Sequence, residues 1–503
     1  MASFHLSTCI WDRAAEFGER TAIIDDSGSY TYADLLAASQ SIASALLDRQ
    51  CGSEEPVVYI ANPGFQTVAI QWGIWRAGGI AVPLGTMHPR SEWLYVLSDT
   101  QPRFCIYSAD FADQILANDG WPENCQRLAA AEMSASTDRA LPAGDIQRAA
   151  MILYTSGTTS RPKGVVLSHR NLNAQIDCLI EAWGWTADDH ILHVLPLHHV
   201  HGLVNALACP LSSGAICEFM RFDASEIWHR WVRDEGPNLF MAVPTIYAKL
   251  VTAWEEADSK TQARWSAAAE TNFRLMVSGS AALPVSVLEK WERITAQRLL
   301  ERYGMTEIGM ALSNPLLGER VAGCVGKPLP AVELRLVDEN SLADPADENP
   351  GEIQVRGPAV FERYWNCKEA TEAAFTSDGW FKTGDVATCT NGVYKILGRN
   401  SVDIIKTGGY KVSALEIEEV LRRHEAINNC AVVGVADETW GEIVAVAAVC
   451  NQKLELDELR DWSAELLAPY KTPRRMMVVD QLPTNAMGKV TKTDIKKLFE
   501  QLS

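Results

Sequence analysis

The chain has 503 residues, of which 47% are hydrophobic and 22% are charged, and this balance is typical of a soluble globular enzyme. It excludes a disordered chain, a collagen-like repeat and an integral membrane protein, and the length predicts about three units or a large α/β domain with a small partner. The 45 basic and 64 acidic residues give a net charge of −19, so neither nucleic acid nor an anionic membrane surface is expected as a main partner.

Twelve scattered cysteines without a Cys-x-x-Cys pair predict free, mostly buried thiols in a reducing compartment, and neither a zinc site nor a disulfide framework. The longest apolar runs, such as 443–450, are too short to span a bilayer. Residues 1–20 carry acidic side chains and no basic-then-apolar pattern, and the last three residues are not a peroxisomal signal. The cytoplasm is therefore expected, or the mitochondrion if a presequence has been removed.

The first two thirds of the chain alternate short apolar strands with amphipathic helices. This βαβ rhythm predicts largely parallel sheets covered by helices. The predicted elements, in chain order, are strand 56–61, helix 65–77, strand 80–84, strand 190–196, a helix near Leu203, strand 215–220, helix 224–233 and strand 239–243.

The pattern changes after about residue 333 to hairpin-like strands at 333–337, 351–356 and 393–397. Beyond Gly398-Arg399, the predicted elements are strand 403–406, helix 414–423, strands 430–435 and 443–449, and helix 456–467. We therefore expect a large α/β domain over 1–397, which includes a β-barrel-like subdomain, and a small mobile α+β domain over 398–503.

The most specific motif is the segment 153–165, in which a strand runs into a loop rich in hydroxyls and glycine, followed by a helix starting near His169. Such a loop suits a phosphate, because glycine lets backbone N–H groups approach while hydroxyls and a lysine add donors and charge. It is not a Walker A loop, and the alternative of a polar surface loop explains its composition less well. The predicted phosphate-binding residues are Thr155, Ser156, Gly157, Thr158, Thr159 and Lys163.

This segment resembles the adenylate-forming superfamily of acyl-CoA synthetases, luciferases and peptide-synthetase adenylation domains. The resemblance covers almost the whole chain, because four further motifs follow in the expected order: Gly279-Ser280-Ala281, Tyr303-Gly304-Met305-Thr306-Glu307, Thr383-Gly384-Asp385 and Gly398-Arg399. The resemblance implies that Gly279, Ser280 and Ala281 face the adenine and that Tyr303 and Gly304 lie on its other side. It also implies that Thr306 bonds the α-phosphate and that Glu307 ligates Mg²⁺. Asp385 would bind the ribose hydroxyls, and Arg399 would reach the ribose or a phosphate.

Near the C-terminus, the segment 485–490 resembles the catalytic-lysine motif of that superfamily, which places Lys489 at the reacting atoms. The chemistry supports this role, because attack of a carboxylate on a phosphate brings two anions together and requires a bridging cation. The alternative is that Lys489 is a solvated cation of the tail, like Lys492, Lys496 and Lys497.

Two further features match family members that use CoA. The segment 406–411 resembles the loop that faces CoA after the small domain rotates, and it implies CoA contacts for Lys406, Gly408 and Gly409. Ser401 occupies the hinge position, where many members carry Asp or Lys.

The acid must be recognised in an acyl pocket, for which the segment 195–202 offers three histidines. His199 resembles the residue that gates the carboxylate. His201 and Arg274 suit a second carboxylate and resemble the pair in malonyl-CoA synthetases. Ser278 and Met305 are the other predicted acyl-pocket residues. The alternatives are a surface position for Arg274, a structural histidine cluster and a metal site, the last lacking a nearby carboxylate or cysteine.

The resulting hypothesis is an acid–CoA ligase that uses ATP, Mg²⁺ and CoA to convert malonate to malonyl-CoA, AMP and diphosphate, with no nucleic acid or carrier protein as partner. The alternatives are a ligase for methylmalonate, oxalate or another short acid, or a stand-alone adenylation module that loads a carrier protein. One methyl group is worth only ~1–3 kcal/mol in a pocket, so the sequence does not rank malonate against methylmalonate.

Overall fold

The computed structural model describes residues 8–117, 120–133, 139–155, 162–233, 236–337, 349–408, 410–437, 439–484 and 489–501. The described α-helices are α1 (Ile10–Ala14), α2 (Tyr32–Asp48), α3 (Phe65–Ala77), α4 (Arg90–Thr100), α5 (Ala112–Leu116), α6 (His169–Trp183), α7 (Cys209–Ser213), α8 (Ala224–Trp231), α9 (Pro244–Glu256), α10 (Ser259–Asn272), α11 (Val285–Thr295), α12 (Lys368–Ala374), α13 (Ala414–Leu421), α14 (Leu456–Ala464) and α15 (Lys492–Gln501). A π-helix spans His201–Ala208, and short 3₁₀ turns lie at Ala15–Phe17, Ala109–Phe111 and Ala130–Glu132.

The strands in the first part of the chain are β1 (Thr21–Asp25), β2 (Gly28–Thr31), β3 (Pro56–Ile60), β4 (Ile80–Pro83), β5 (Phe104–Tyr107), β6 (Gln126–Ala129), β7 (Ala149–Thr155), β8 (Lys163–Ser168), β9 (His190–His193), β10 (Ile216–Phe219), β11 (Leu239–Ala242), β12 (Leu275–Ser278), β13 (Leu300–Met305), β14 (Gly309–Ser313) and β15 (Lys327–Pro328). The later strands are β16 (Glu333–Val337), β17 (Gly351–Arg356), β18 (Arg363–Tyr364), β19 (Phe381–Thr390), β20 (Val393–Arg399), β21 (Ile404–Thr407), β22 (Tyr410–Ser413), β23 (Ile427–Asp437), β24 (Gly441–Cys450) and β25 (Arg475–Val478).

Two large sheets with parallel centres form most of the molecule. One has the order β15-β14-β13-β12-β11-β9-β10-β1-β2, and the other has the order β18-β8-β7-β4-β3-β5-β6. Only the pairs at their ends are antiparallel, such as β13 with β14 and β7 with β8. The largest apolar core joins both sheets through α2, α3 and α6. The carboxyl ends of parallel strands share one edge of a sheet, where substrate sites of α/β proteins lie.

The local sequence explains where the first of these helices start and stop. The Thr31 side chain caps α2 by accepting from the backbone N–H of Asp34, and the Asp34 carboxylate accepts from the backbone N–H of Thr31. α3 ends at Gly78, whose φ of +92° lies in the left-handed region that favours glycine. The helix predicted at 65–77 and the strands predicted near 56–61 and 80–84 are therefore confirmed within a residue.

A four-stranded antiparallel sheet, in the order β16-β17-β19-β20, follows the two large sheets. It corresponds to the predicted barrel-like subdomain, although its outer strands β16 and β20 do not pair with each other within the described residues. A further sheet, β22-β21-β24-β23 with β25 beside β24, contains the last part of the chain. The change from one sheet to the other comes after Arg399, the last residue of β20.

The predicted fold class, a large α/β part with a small α+β part, is confirmed. All twelve cysteines are free. No described helix is both long enough and apolar enough to cross a bilayer.

Candidate active site

The predicted phosphate loop connects two antiparallel strands. Thr155 ends β7 and pairs with Lys163, which begins β8. The helix predicted to start near His169 is confirmed, because α6 begins at His169 and Ser168 caps it with its side chain. The sequence analysis did not predict strand β8, which lies between the loop and this helix. The Lys163 ammonium lies 5.1 Å from the centre of the Tyr364 ring. Four of the predicted loop residues, Ser156, Gly157, Thr158 and Thr159, lie outside the described residues.

The motif 303–307 lies at the carboxyl end of β13 and in the turn that follows it. The Tyr303 hydroxyl donates to Asp385 Oδ2 at 2.6 Å, which places this ring beside the predicted ribose site. Glu307 is buried, and its Oε1 accepts from the Tyr364 hydroxyl at 3.0 Å. Burial raises the pKa of the Glu307 carboxyl above its ordinary value. Thr306 is buried between them in sequence.

Glu307 fits the predicted role of a magnesium ligand. Mg²⁺ prefers oxygen ligands and is commonly held by one or two carboxylates together with substrate phosphates. A buried carboxylate with a raised pKa gains from a nearby cation, because the ion restores its charged form. Within the described ranges, no group of three or more His, Cys, Asp or Glu side chains could hold a metal ion.

Asp385 and Arg399 face each other across the β19–β20 ladder. Arg399 Nε donates to Asp385 Oδ1 at 2.9 Å, so both carboxylate oxygens of Asp385 already accept one hydrogen bond. Each oxygen has a second acceptor position. The Asp385 carboxylate is thereby held rigidly while it can still accept from the two hydroxyls of a ribose.

Beside the predicted acyl-pocket residue His201 lies a buried arginine that the sequence analysis missed. Arg302, on β13, is 4% exposed, and its Nη2 donates to Ser280 Oγ at 3.4 Å. The same Ser280 Oγ lies 3.1 Å from His201 Nδ1. Arg302 Nε and His201 Nε2 are buried and have no hydrogen-bond partner among the described residues. Burial lowers the pKa of the Arg302 guanidinium to about 9.

Gly279 permits this close packing of Arg302. A Cβ at position 279 would lie 2.5 Å from Arg302 Cζ and 2.6 Å from Nε. The predicted adenine loop therefore packs against Arg302 through Gly279 and Ser280, whereas Ala281 is exposed. Ser280 itself has a φ of +69°, an unusual value for serine that its two side-chain contacts hold in place.

The structure contradicts the prediction that Arg274, aided by His201, binds a second carboxylate of the substrate. Arg274 precedes the first residue of β12, whereas Ser280 follows its last residue, so the two lie at opposite ends of the strand. Arg274 binds the buried Asp189 through Nε and Nη2, both at 2.6 Å, and its Nη1 donates to the carbonyl of Trp183 at 2.9 Å. Its guanidinium is therefore fully engaged with the protein.

The histidines lie beside the pocket but differ in surroundings. His199 packs against His198 at 4.1 Å between ring centres. Burial, with a contribution from the charge of Lys489, lowers the pKa of His199 to about 3. Burial and then the charge of Arg302 lower the pKa of His201 well below its ordinary value, so both rings are neutral. Ser278 is fully buried at the end of β12, and the partly buried Met305 ends β13.

Lys489 reaches this site from the other part of the chain. Burial, followed by the charges of Arg302 and Arg399, lowers its pKa to about 8, and Asp385 partly offsets this. Residues 485–488, which complete the predicted motif, lie outside the described residues. The lysine is thus within electrostatic reach of both the acyl pocket and the ribose site.

The predicted CoA loop and hinge border a cleft of about 320 Å³. Lys406 and Ser401 line it together with Arg399. Gly408 has a φ of +55°, and its N–H donates to the carbonyl of Trp440, whose ring would lie 2.8 Å from an added Cβ. Gly409 lies outside the described residues.

Comparisons with known proteins show which family the chain is similar to. The model of the AMP-binding enzyme family matches residues 10–365, and the model of the AMP-binding enzyme C-terminal domain matches residues 416–489. The protein named malonate–CoA ligase ACSF3, mitochondrial, from Xenopus laevis is 44% identical, over 98% of this chain and 93% of that protein.

Two solved structures are similar over almost the whole chain. ATP-bound MatB from Rhodopseudomonas palustris gives a TM-score of 0.87 at 31% identity, over 98% of this chain and 99% of that chain. A malonyl-CoA ligase in a ternary product complex with methylmalonyl-CoA and AMP gives 0.66 at 37% identity, over 93% of this chain and 97% of that chain.

Proposed function

The chain belongs to the AMP-binding enzyme family, and we propose that it is an ATP-dependent ligase that joins malonate to CoA. The products are malonyl-CoA, AMP and diphosphate. The observation that carries the choice of a diacid is Arg302, a buried guanidinium in the acyl pocket that has no carboxylate partner within the described residues.

Arg302 and His201 would bind the distal carboxylate of malonate. Ser280 orients both side chains through one hydroxyl, which leaves Arg302 Nε and His201 Nε2 for the substrate. Arg302 and Lys489 are close enough to shift the pKa of Lys489, so two carboxylates separated by one methylene group can each meet a cation.

In the first step, an oxygen of the proximal carboxylate attacks the α-phosphorus of ATP, and diphosphate leaves. Lys489 would bridge the two anions and follow the charge into the transition state. Asp385 would hold the ribose, and Thr306 would bond the α-phosphate. When bound at Glu307, Mg²⁺ supplies positive charge that neutralises the phosphates.

In the second step, the CoA sulfur attacks the acyl carbon of malonyl-adenylate, the bond to AMP breaks, and the thiol proton is released. We assign this step to a second orientation of the small part, 398–503, relative to the large part, 1–397. Rotation about Ser401 would withdraw Lys489 and bring Lys406, Gly408 and Gly409 to the pantetheine arm.

The structural comparisons support two orientations. The chain is more similar to the ATP-bound structure than to the CoA-product complex, although the latter has the higher sequence identity. The influence of Arg302 and Asp385 on the pKa of Lys489 also supports an orientation in which this lysine serves the first step. We therefore assign this structure to the orientation that forms the adenylate.

We propose that the ligase works in the mitochondrion, following the name of the Xenopus relative, with the cytoplasm as the alternative expected from the sequence. The function is tested by diphosphate release with ATP, CoA and a panel of malonate, methylmalonate, oxalate, propionate and butyrate. Malonate should give the highest kcat/KM with CoA as the only thiol. A preference for butyrate would contradict the diacid assignment, and a need for a carrier protein would favour the adenylation-module alternative.

A further inference from the structure

Lys492 forms a buried ion cluster in the small part of the chain. Its ammonium lies 2.6 Å from Asp403 Oδ1 and 2.7 Å from Glu418 Oε1. We call this group, Lys492 with Asp403 and Glu418, the Lys492 bridge. Burial alone would lower the pKa of Lys492, but the two carboxylates more than offset this, so the pKa is raised and the side chain stays charged.

The bridge joins three separate segments. Asp403 follows the hinge residue Ser401, Glu418 lies on α13, and Lys492 is the first residue of α15. Glu418 is also fixed by the N–H of Val432 at 2.8 Å and by Arg422 at 3.1 Å. The bridge is therefore a rigid attachment point for the segment that precedes α15.

That segment carries Lys489, three residues before Lys492. Between them, Val490 pairs with Thr484, and the N–H of Thr491 donates to the carbonyl of Pro483 at 2.9 Å. The backbone from 489 to 492 is thus held by short-range bonds at one end and by the Lys492 bridge at the other. Any movement of Lys492 would be passed to Lys489.

The other end of the bridge is connected to the large part through Arg399. Asp403 Oδ2 accepts from the N–H of Arg399 at 3.0 Å, and the Arg399 side chain binds Asp385 at 2.9 Å. The absence of a Cβ at Gly398 permits this approach, because a Cβ there would lie 2.3 Å from that of Asp403. One continuous set of bonds therefore runs from the ribose site through the hinge to the segment that carries Lys489.

We propose that Lys492 is a positioning residue for the first step: it sets the place of Lys489 relative to the nucleotide by tying the start of α15 to the hinge carboxylate Asp403. The inference rests on the proposed function, because it takes Lys489 as the cation that bridges carboxylate and α-phosphate. The three members of the bridge all follow the hinge, so they rotate together and the second step does not depend on where they place Lys489.

The test separates the two steps in a Lys492→Met variant. Adenylation is followed by diphosphate release in the absence of CoA, and thioester formation is followed from supplied malonyl-adenylate. We expect the kcat of adenylation to fall by about 10- to 100-fold, the loss typical of a catalytic group displaced by about an ångström. The KM for ATP and the rate of the second step should stay within about threefold of their wild-type values, because a displacement of Lys489 affects only the step in which that lysine takes part.

The pH profile of adenylation is a second measurement, and a purely structural role of Lys492 would leave it unchanged. The groups that face Lys489 are Arg302 on β13, Asp385 on β19, Arg399 on β20, and the neutral His199 and His201. If Lys489 leaves these cations in Lys492→Met, the basic limb of adenylation should move upward from about pH 8.

Two control variants complete the experiment. Lys496→Met removes the next lysine on α15, which pairs with Glu442 at 3.2 Å and is outside the bridge, so both steps should match wild type. If Lys492→Met alone does not fold, Asp403→Asn with Lys492→Met removes both charges, leaves Glu418 with Arg422, and keeps an acceptor for the N–H of Arg399.

Adenylation within threefold of wild type in the variant that folds would overturn the proposal, as would an equal loss of both steps with an unmoved basic limb. A Lys489→Met variant is measured in parallel. If it retains adenylation, the proposed role of Lys489 itself fails, which separates that failure from a failure of the Lys492 bridge.

Discussion

Replacing Arg302 tests the diacid assignment most directly. In Arg302→Met, the distal carboxylate of malonate would be buried without its cation. Loss of one partner of a buried ion pair costs ~3–5 kcal/mol. At ~1.4 kcal/mol per factor of ten, kcat/KM for malonate should fall by about 10² to 10³.

The same variant should behave differently with a monoacid. Butyrate has no second carboxylate, so in the wild type it leaves the buried guanidinium unpaired, and this cost disappears in Arg302→Met. The kcat/KM for butyrate should therefore stay constant or rise. The measured quantity is the ratio of malonate to butyrate efficiency from diphosphate release, because that ratio cancels changes in ATP binding.

Arg274→Met is the matched control, since it removes the other arginine considered for this role. Its partner Asp189 would stay buried without its cation, which we expect to cost about 1–3 kcal/mol of stability. We do not expect the full cost of breaking a buried ion pair, because Arg274 is partly exposed and water screens the interaction. The malonate-to-butyrate ratio should not change. The reasoning is refuted if the ratio falls in Arg274→Met and is kept in Arg302→Met.

Three other predictions concern neighbouring groups. Adenylation by the free enzyme needs charged Lys489, whose pKa is lowered to about 8, so kcat/KM should fall as the pH rises through about 8. In Arg302→Met this fall should occur at a higher pH. An unchanged pH profile would contradict the influence of Arg302 on the pKa of Lys489. Burial raises the pKa of Glu307, so protons should compete with Mg²⁺; the Mg²⁺ concentration for half-maximal rate should rise on acidification in the wild type and be high and independent of pH in Glu307→Gln. Gly279→Ala would displace the Arg302 guanidinium at a cost of about 1–3 kcal/mol, so kcat/KM for malonate should drop by roughly 10- to 100-fold. The kcat/KM for butyrate should change little. An equal loss for both acids would argue against an effect that acts through Arg302.

The sequence predicted the layered fold well because its parallel strands are short apolar runs between amphipathic helices. It missed β8 because this short strand lies directly between the hydroxyl-rich loop and α6, with no turn residues to separate it from the helix. Helix α6 itself was predicted correctly from His169.

The acyl pocket shows where sequence reasoning stops. Arg274 and Asp189 are 85 positions apart, and no local pattern marks an ion pair of that kind. Arg302 had a signal, because it is a charged residue in the run Leu299-Leu300-Glu301-Arg302, which forms a buried strand. A cation in such a strand needs an anionic partner. The adjacent Glu301 is not that partner, because neighbouring residues of a strand point to opposite faces, and its carboxylate accepts from the N–H of Gly323.

The facing of Arg302 and Lys489 has a mechanical consequence. One cation belongs to the large part and the other to the small part, and each disfavours the charge of the other. Their repulsion, which Asp385 offsets only in part, disfavours the orientation that brings the two parts together as long as no substrate is bound. Bound malonate and ATP would act as counter-ions that hold the two parts together, and the departure of diphosphate would remove part of that attraction. The first step would thus itself release the small part to rotate. Added salt should weaken the repulsion between the charges of Arg302 and Lys489.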